Sequence, residues 1–224
     1  MVFERSGFRS FRRVLTGVLA VAATVVVPVP GADADDSVVV TGTGDASDRN
    51  LDDAVCDVSA SAGLQCTLRA AIEEANDTPG ADAIVFDIGG AAAVKTITPA
   101  TPLPAITETL TIDGYSQEGA SANTLATGDD AVLKVQLNGT NAGTDAVGLQ
   151  VDADDSVIKG LVINRFSGTG VVIGGSNSRL VGSFVGTNPA GDLARPNEFG
   201  VLMSGPDVTV GGTGRAARNL ISGN

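Results

Sequence analysis

The sequence predicts an all-β solenoid, a stack of short strands closed at its start by one short α-helix, and three observations predict it. First, three stretches can be laid on one another: Gly148-Leu-Gln-Val, Gly170-Val-Val-Ile and Gly200-Val-Leu-Met open 22 and then 30 residues apart. Second, each is followed by a polar turn and further apolar residues rich in Val and Ile. These are Val157 to Ile163, Leu180 to Val185, and Val208 to Gly212 with Asn219-Leu-Ile. Third, none of these intervals has room for a helix. A repeat of this length whose apolar face cannot cover itself must stack on its neighbours. A sandwich of hairpins would show the same strands and glycines, but not their recurrence in register. The longer step is explained by an insertion, Asn188 to Asn197, whose Pro, Gly and Asn residues mark a loop. Within the run from Val157 to Ile163, alternation places neighbouring side chains on opposite faces, one inside the stack and one toward water or a flanking loop.

The first 34 of the 224 residues read as an export signal. Arg5, Arg9, Arg12 and Arg13 form a basic region, Val14 to Val27 an apolar core, and Ala32-Asp-Ala34 a small-x-small cleavage site. An uncleaved anchor is the competing reading, although Thr16, Gly17 and Thr24 interrupt the apolar stretch. Arg12-Arg13 admits a twin-arginine route, but no Phe-Leu-Lys follows, so general secretion is at least as well supported. Residues 35–82 read as an N-terminal cap and 83–224 as the stack. Removing the signal takes four Arg and two acids from 14 basic and 26 acidic residues and leaves a formal charge of −14. Such a surface excludes nucleic acid, which needs clustered Lys and Arg.

The chain has no histidine and no Trp. That removes Ser-His-Asp and Cys-His catalysis and every metal site built on imidazole. In an exported protein the two cysteines, Cys56 and Cys66, read as a disulfide closing a small loop. A free reactive thiol is the alternative, without a His to activate it.

Along the chain, Ser37 to Thr41 is a short strand. The following loop holds Asp45, Asp48, Asn50, Asp52 and Asp53. It lacks the central Gly and terminal Glu of a calcium loop and reads as a solvated acidic segment. One helix follows from Thr67 to Asn76: Leu68, Ala71, Ile72 and Ala75 make one apolar stripe. Thr67 is its expected N-cap, Arg69 is expected to pair with Glu73, and Asn76 to Gly80 stop it. A ten-residue helix is marginal alone, so it is expected to pack on the open first circuit of the stack. Further strands are predicted over Ile84 to Ile88, Val94 to Thr98, Thr109 to Asp113 and Val132 to Leu137. Leu133, Val135 and Leu137 alternate, and a long loop runs from Gly114 to Asp130. Asn224 falls where another circuit begins, so the sequence is expected to be a fragment or to close its end by self-association.

The segment Cys66-Thr-Leu-Arg-Ala-Ala-Ile-Glu-Glu-Ala-Asn76, with Cys56 before it and Ala83-Ile-Val-Phe-Asp-Ile88 after it, resembles the CSLREA motif. That motif lies near the N-terminus of exported bacterial proteins with right-handed parallel β-helix repeats. Thr67 stands here for its Ser and Ala70 for its Glu. Ile112 to Gln117, Leu137 to Gly143, Gly160 to Phe166, Phe184 to Thr187 and Ala217 to Asn224 extend the resemblance. It implies an all-β, right-handed parallel β-helix with a short N-terminal capping α-helix, pectin-lyase-like in fold. It implies no activity, since most such proteins have no assigned chemistry.

Candidate chemistry is sparse. Asp152, Asp154 and Asp155 cluster with Lys159 nearby, a set that fits glycoside cleavage or a calcium-assisted lyase. One repeat later the equivalents are Gly174, Ser176 and Asn177, so no carboxylate ladder forms and solvated turn acids are the simpler reading. Gly168-Thr-Gly170 and Gly211 to Gly214 lack phosphate-loop endings and serve corners. Arg165, Arg179, Arg195, Arg215 and Arg218 are assigned to surfaces. No catalytic, cofactor or metal residue is assigned. The expected role is a non-enzymatic surface module, stalk or adhesin-like, that meets extracellular polysaccharide or protein. The alternative is a polysaccharide lyase or glycoside hydrolase with catalytic circuits partly outside this sequence.

Overall fold

The computed structural model describes residues 37–224 except Ala62 and Leu64; the export signal read over residues 1–34 lies outside the described residues. These hold one α-helix, α1 (Leu68–Asp77), and fourteen strands. The first five strands are β1 (Ser37–Val40), β2 (Asp82–Phe86), β3 (Lys95–Ile97), β4 (Leu110–Asp113) and β5 (Val135–Asn138). Then come β6 (Leu149–Val151), β7 (Val157–Lys159), β8 (Leu161–Asn164), β9 (Thr169–Ile173) and β10 (Arg179–Val181). The last are β11 (Phe184–Val185), β12 (Phe199–Met203), β13 (Thr209–Val210) and β14 (Leu220–Ile221).

They build three sheets, ordered β1-β2-β4-β7-β10-β13, β3-β5-β8-β11-β14 and β6-β9-β12. Every strand pair in them is parallel. From β7 onward the chain visits the sheets in fixed order, and each visit lands in register on the last. Leu149 pairs with Val171 and Val171 with Val201, the offsets of 22 and 30 read from the sequence. Antiparallel pairing among the described residues is confined to isolated bridges in loops, Ser121 with Val132 and Thr187 with Ala194.

Register turns single residues into columns. Ile84, Ile112, Ile158 and Leu180 stack through the first sheet. Ile97, Leu137, Ile163 and Val185 do so through the second. Both columns belong to one buried core. Each fully buried side chain of this size contributes ~1.5–3 kcal/mol relative to exposure.

Two expectations need correction. The run Val157 to Ile163 is not one strand but two in different sheets, broken at Gly160, where φ is +71°. Gly182, with φ +57°, breaks Leu180 to Val185 in the same way. A Cβ at Gly160 would lie 2.8 Å from the Tyr115 nitrogen, so neither the torsion nor the space admits another residue. Two-face alternation therefore does not run through the corner. Leu161, Val162 and Ile163 are all buried: Leu161 and Ile163 lie in the main core, while Val162 packs with Leu133 and Phe184 in a second cluster. Leu133 accordingly does not alternate with Val135 and Leu137 in one strand; β5 begins at Val135.

Corners bury backbone groups that no strand partner reaches, and side chains from the following circuit satisfy them. The Asn197 amide accepts from Phe166 N–H at 3.0 Å and donates to Ile163 C=O at 3.2 Å. Asn219 repeats the clamp, accepting from Ser183 N–H at 2.9 Å and donating to Leu180 C=O at 2.8 Å. Ser178 and Ser183 hydroxyls accept from Ser156 and Leu161 N–H groups.

At the opposite end, α1 packs on β1 and β2, and Leu68, Ala71, Ile72 and Ala75 join the main core. The Thr67 hydroxyl caps it, accepting from Ala70 N–H at 3.1 Å.

Candidate functional site

Asp152, Asp154 and Asp155 are exposed. Asp152 accepts from the Gln150 amide, and Asp154 accepts from Ser176 N–H at 2.6 Å. Lys159 does not serve them; it pairs with Asp113 at 2.9 Å, its in-register neighbour on β4. Asp155 has a structural role, since it shares φ near +56° with Asn177 and Asp207 in the next two repeats. Asp and Asn tolerate that left-handed conformation better than other side chains.

The cap is built by side chains used once each. Arg69 does not pair with Glu73. Its buried guanidinium lies against the half-buried Asp45 carboxylate at 3.0 Å and donates to the carbonyls of Thr101 and Pro102. Glu73 instead accepts from Asp48 N–H at 2.8 Å. Asn76 clamps the next segment, donating to Ala105 C=O and accepting from Thr107 N–H. Cys56 and Cys66 form a disulfide with Cα atoms 5.2 Å apart. The acidic loop is organised around Arg49, which pairs with Asp57 at 2.9 Å and Asp53 at 3.5 Å; its own pKa is raised, chiefly by the bond to Asp57. No group of three or more metal-ligating side chains comes together among the described residues.

Beside the disulfide lies a cavity of about 410 Å³, walled by Val38 and Val39 of β1, Val55, Cys66, Glu74 and Asp82 among others. Glu74 is 5% exposed, and its Oε2 has no hydrogen-bond partner. Burial first, then the carboxylates of Asp48, Asp53, Asp77 and Asp82, pushes the Glu74 carboxyl up to about 7. Sequence reasoning passed over Glu74. Three residues on from Ala71, it lies about 60° round the helix from the apolar stripe, where an exposed Glu is usual.

The other site-forming features are two loops. The segment from Gly114 to Lys134 is fixed to the second and third repeats: Tyr115 Oη donates to Gly182 C=O at 2.6 Å, and the Asn123 amide donates to Arg215 C=O at 3.1 Å. Burial, then Asp129 and Asp113, pushes the Tyr115 phenol up to about 12. Arg218 donates to the carbonyls of Leu125, Ala126 and Gly128, and Arg215 to that of Thr124. These two arginines, read from sequence as idle surface residues, hold a loop about 90 residues away in sequence. Inside it Asp130 accepts from Thr124 N–H and Oγ1 at 2.7 Å each, which holds its carboxyl below the usual range. The insertion after Thr187 is closed at its tip by its own residues and tied to the stack at its end: Asn188 accepts from Asp192 and Leu193 N–H groups, Leu193 is 48% exposed, and Asn197 bonds to Phe166 and Ile163.

Comparison with protein-family models, curated proteins and solved structures gave no match.

Proposed function

We propose that this protein is an exported, non-enzymatic module of the cell surface, a right-handed parallel β-helix that presents the loops 114–134 and 187–197 to an extracellular polysaccharide or protein. The observation that carries this reading is the anchoring of the 114–134 loop by Arg215, Arg218 and Tyr115 across the stack. A loop ordered at such a cost in conformational entropy is preorganised for recognition. Right-handedness is supported by the near-universal hand of crossovers between parallel strands of one sheet. Export is supported by the signal-like residues 1–34 and by a disulfide, which suits an oxidising compartment. The CSLREA-like segment supports the same assignment through its residues: Thr67 caps the helix, while Arg69 and Asn76 tie it to the first circuits.

The test is binding to immobilised acidic and neutral cell-wall polysaccharides and to extracellular protein, followed together with release of reducing ends or unsaturated products. Saturable capture without turnover is expected, and it should be lost when residues 188–195 or 123–130 are replaced by Gly-Ser linkers while the unfolding midpoint holds. Turnover that disappears in Asp154→Ala or Asp155→Ala would replace this reading with a carbohydrate-active enzyme. N-terminal sequencing of the product recovered from culture medium should begin at Asp35; recovery only in the membrane fraction, starting at Met1, would contradict export by cleavage.

A further inference from the structure

The cavity beside the disulfide runs along the open edge of β1. Its wall includes three consecutive residues of that strand, Ser37, Val38 and Val39, and three of the disulfide loop, Ala54, Val55 and Cys56. Successive side chains of a strand point to opposite faces, so one cavity reaches all three only where it follows the backbone itself. The ladder shows which groups are turned toward it. Val40 C=O accepts from Asp87 N–H at 2.9 Å, so Val38 and Val40 turn their main-chain groups to β2. Alternation turns Ser37, Val39 and Thr41 the other way. Thr41 N–H donates to Cys66 C=O at 3.0 Å, whereas the Ser37 C=O and both main-chain groups of Val39 bond to nothing among the described residues. The core is left open at the same place. Ile84, Ile112, Ile158 and Leu180 are fully buried, but Val38, in register with Ile84 at the head of their column, is half-buried, and Val39 beside it is 37% exposed. Polar side chains of the wall are engaged within the chain, Gln65 with Ser59 and Ser61 and Thr78 with Glu74 C=O, and Asp82 is not free either. What the cavity leaves open is main chain and aliphatic surface.

We propose that this edge takes an extended segment of another polypeptide as an added strand, with one aliphatic side chain of the guest stacked on Val38. The edge selects the class of guest. Free N–H and C=O groups at strand spacing are matched by an extended main chain, which is how sheet edges capture peptides. The column selects the side chain, because each of its rungs is Val, Ile or Leu. The guest continues the six-stranded sheet beyond β1 and places a further rung above Val38. This site uses no residue of the loops 114–134 and 187–197. It rests on the proposed removal of residues 1–34, which leaves two residues ahead of Ser37.

Calorimetry and backbone amide exchange of the exported protein test this, with acetyl-Thr-Ser-Ile-Ser-Thr-amide as the guest. The N-terminus of the protein is sequenced first, so a chain that was not cleaved is told apart from a chain that does not bind. One saturable site is expected, and at saturation the Val39 amide should exchange at least about tenfold more slowly. N-methylation of the central amides of the peptide, or Asp in place of its Ile, should weaken binding by about tenfold or more. Val39→Pro removes the edge N–H and leaves the β2 ladder intact; it should weaken binding by about tenfold. Val55→Trp, at a position 53% exposed, should close the cavity and abolish binding, which keeps the test open should the proline variant not fold. The proposal is overturned by absence of saturable binding, by equal binding of the N-methylated or Asp peptide, by binding that survives both variants, or by a Val39 amide already protected in the free monomer. A dimer that protects Val39 without peptide would make a second copy the occupant and overturn it as well.

Discussion

The repeats from Leu149 to Ile221 and the cap from Ser37 to Asp82 are held by opposite means. In the repeats, a residue has the same kind of neighbour above and below: Ile158 sits between Ile112 and Leu180, and Ile163 between Leu137 and Val185. In the cap outside β1, which stacks in register on β2, side-chain contacts are made once and between unlike partners, such as Arg69 with Asp45 or Asn76 with Ala105. Stacked regions gain stability from nearest-neighbour terms that add along the axis. A cap has no such sum to draw on, so each cross-link matters individually.

That contrast can be broken by mutation. The largest effect is expected for Ile158→Ala, which opens a hole in the middle of a column and should cost ~2–5 kcal/mol in urea unfolding. The same truncation at half-buried Val210, at the column's end, should cost well under half as much. Equal losses would mean that the columns are not the main support. In the cap, Arg69→Ala strands the Asp45 carboxylate and two carbonyls and should cost about 3 kcal/mol. Arg49→Ala, an exposed member of the acidic loop, should fall below about 1 kcal/mol in the same assay. Removing the bridge with Cys56→Ser plus Cys66→Ser should cost about 3 kcal/mol in the chain-entropy picture, for cysteines ten residues apart. Arg218→Ala should change global stability little yet speed amide exchange across residues 123–130; unchanged exchange would show that Arg218 does not hold the loop.

A separate effect is the pH response of the cap. The Glu74 carboxyl titrates near 7 in the folded protein against an ordinary 4.5, so the native state binds the extra proton. Its contribution to stability is therefore full below about 4.5, declines as pH rises and is lost above about 7. The melting temperature of the native protein minus that of Glu74→Gln should fall across this window; a flat difference would place Glu74 in water.

What could be read from sequence divides along the same line. The 22 and 30 residue offsets predicted the register because period and hydrophobicity are written residue by residue in a repeat. The helix was visible through its stripe and through Thr67. What was hidden required knowing which distant segments meet. Gly160 looked like one more residue of an apolar run until its positive φ split the run between two sheets. Arg69 had a plausible partner one helical turn away, but the half-buried Asp45 site offers it more bonds. Arg218 carried no local signal, since the carbonyls it holds lie about 90 residues away, and the burial of Glu74 depends partly on segments such as β1 that are distant in sequence.

In-register parallel stacking is tested most directly by paired cysteines on one column of the third sheet, where Gln150, Val172 and Leu202 follow one another on β6, β9 and β12. Neighbouring strands lie about 4.8 Å apart, within disulfide reach, whereas alternate strands are nearly 10 Å apart and outside it. Val172→Cys with Leu202→Cys should therefore oxidise to a bridge in the folded protein, and Gln150→Cys with Leu202→Cys should not. A bridge between positions 150 and 202, or none between 172 and 202, would contradict the stacked arrangement.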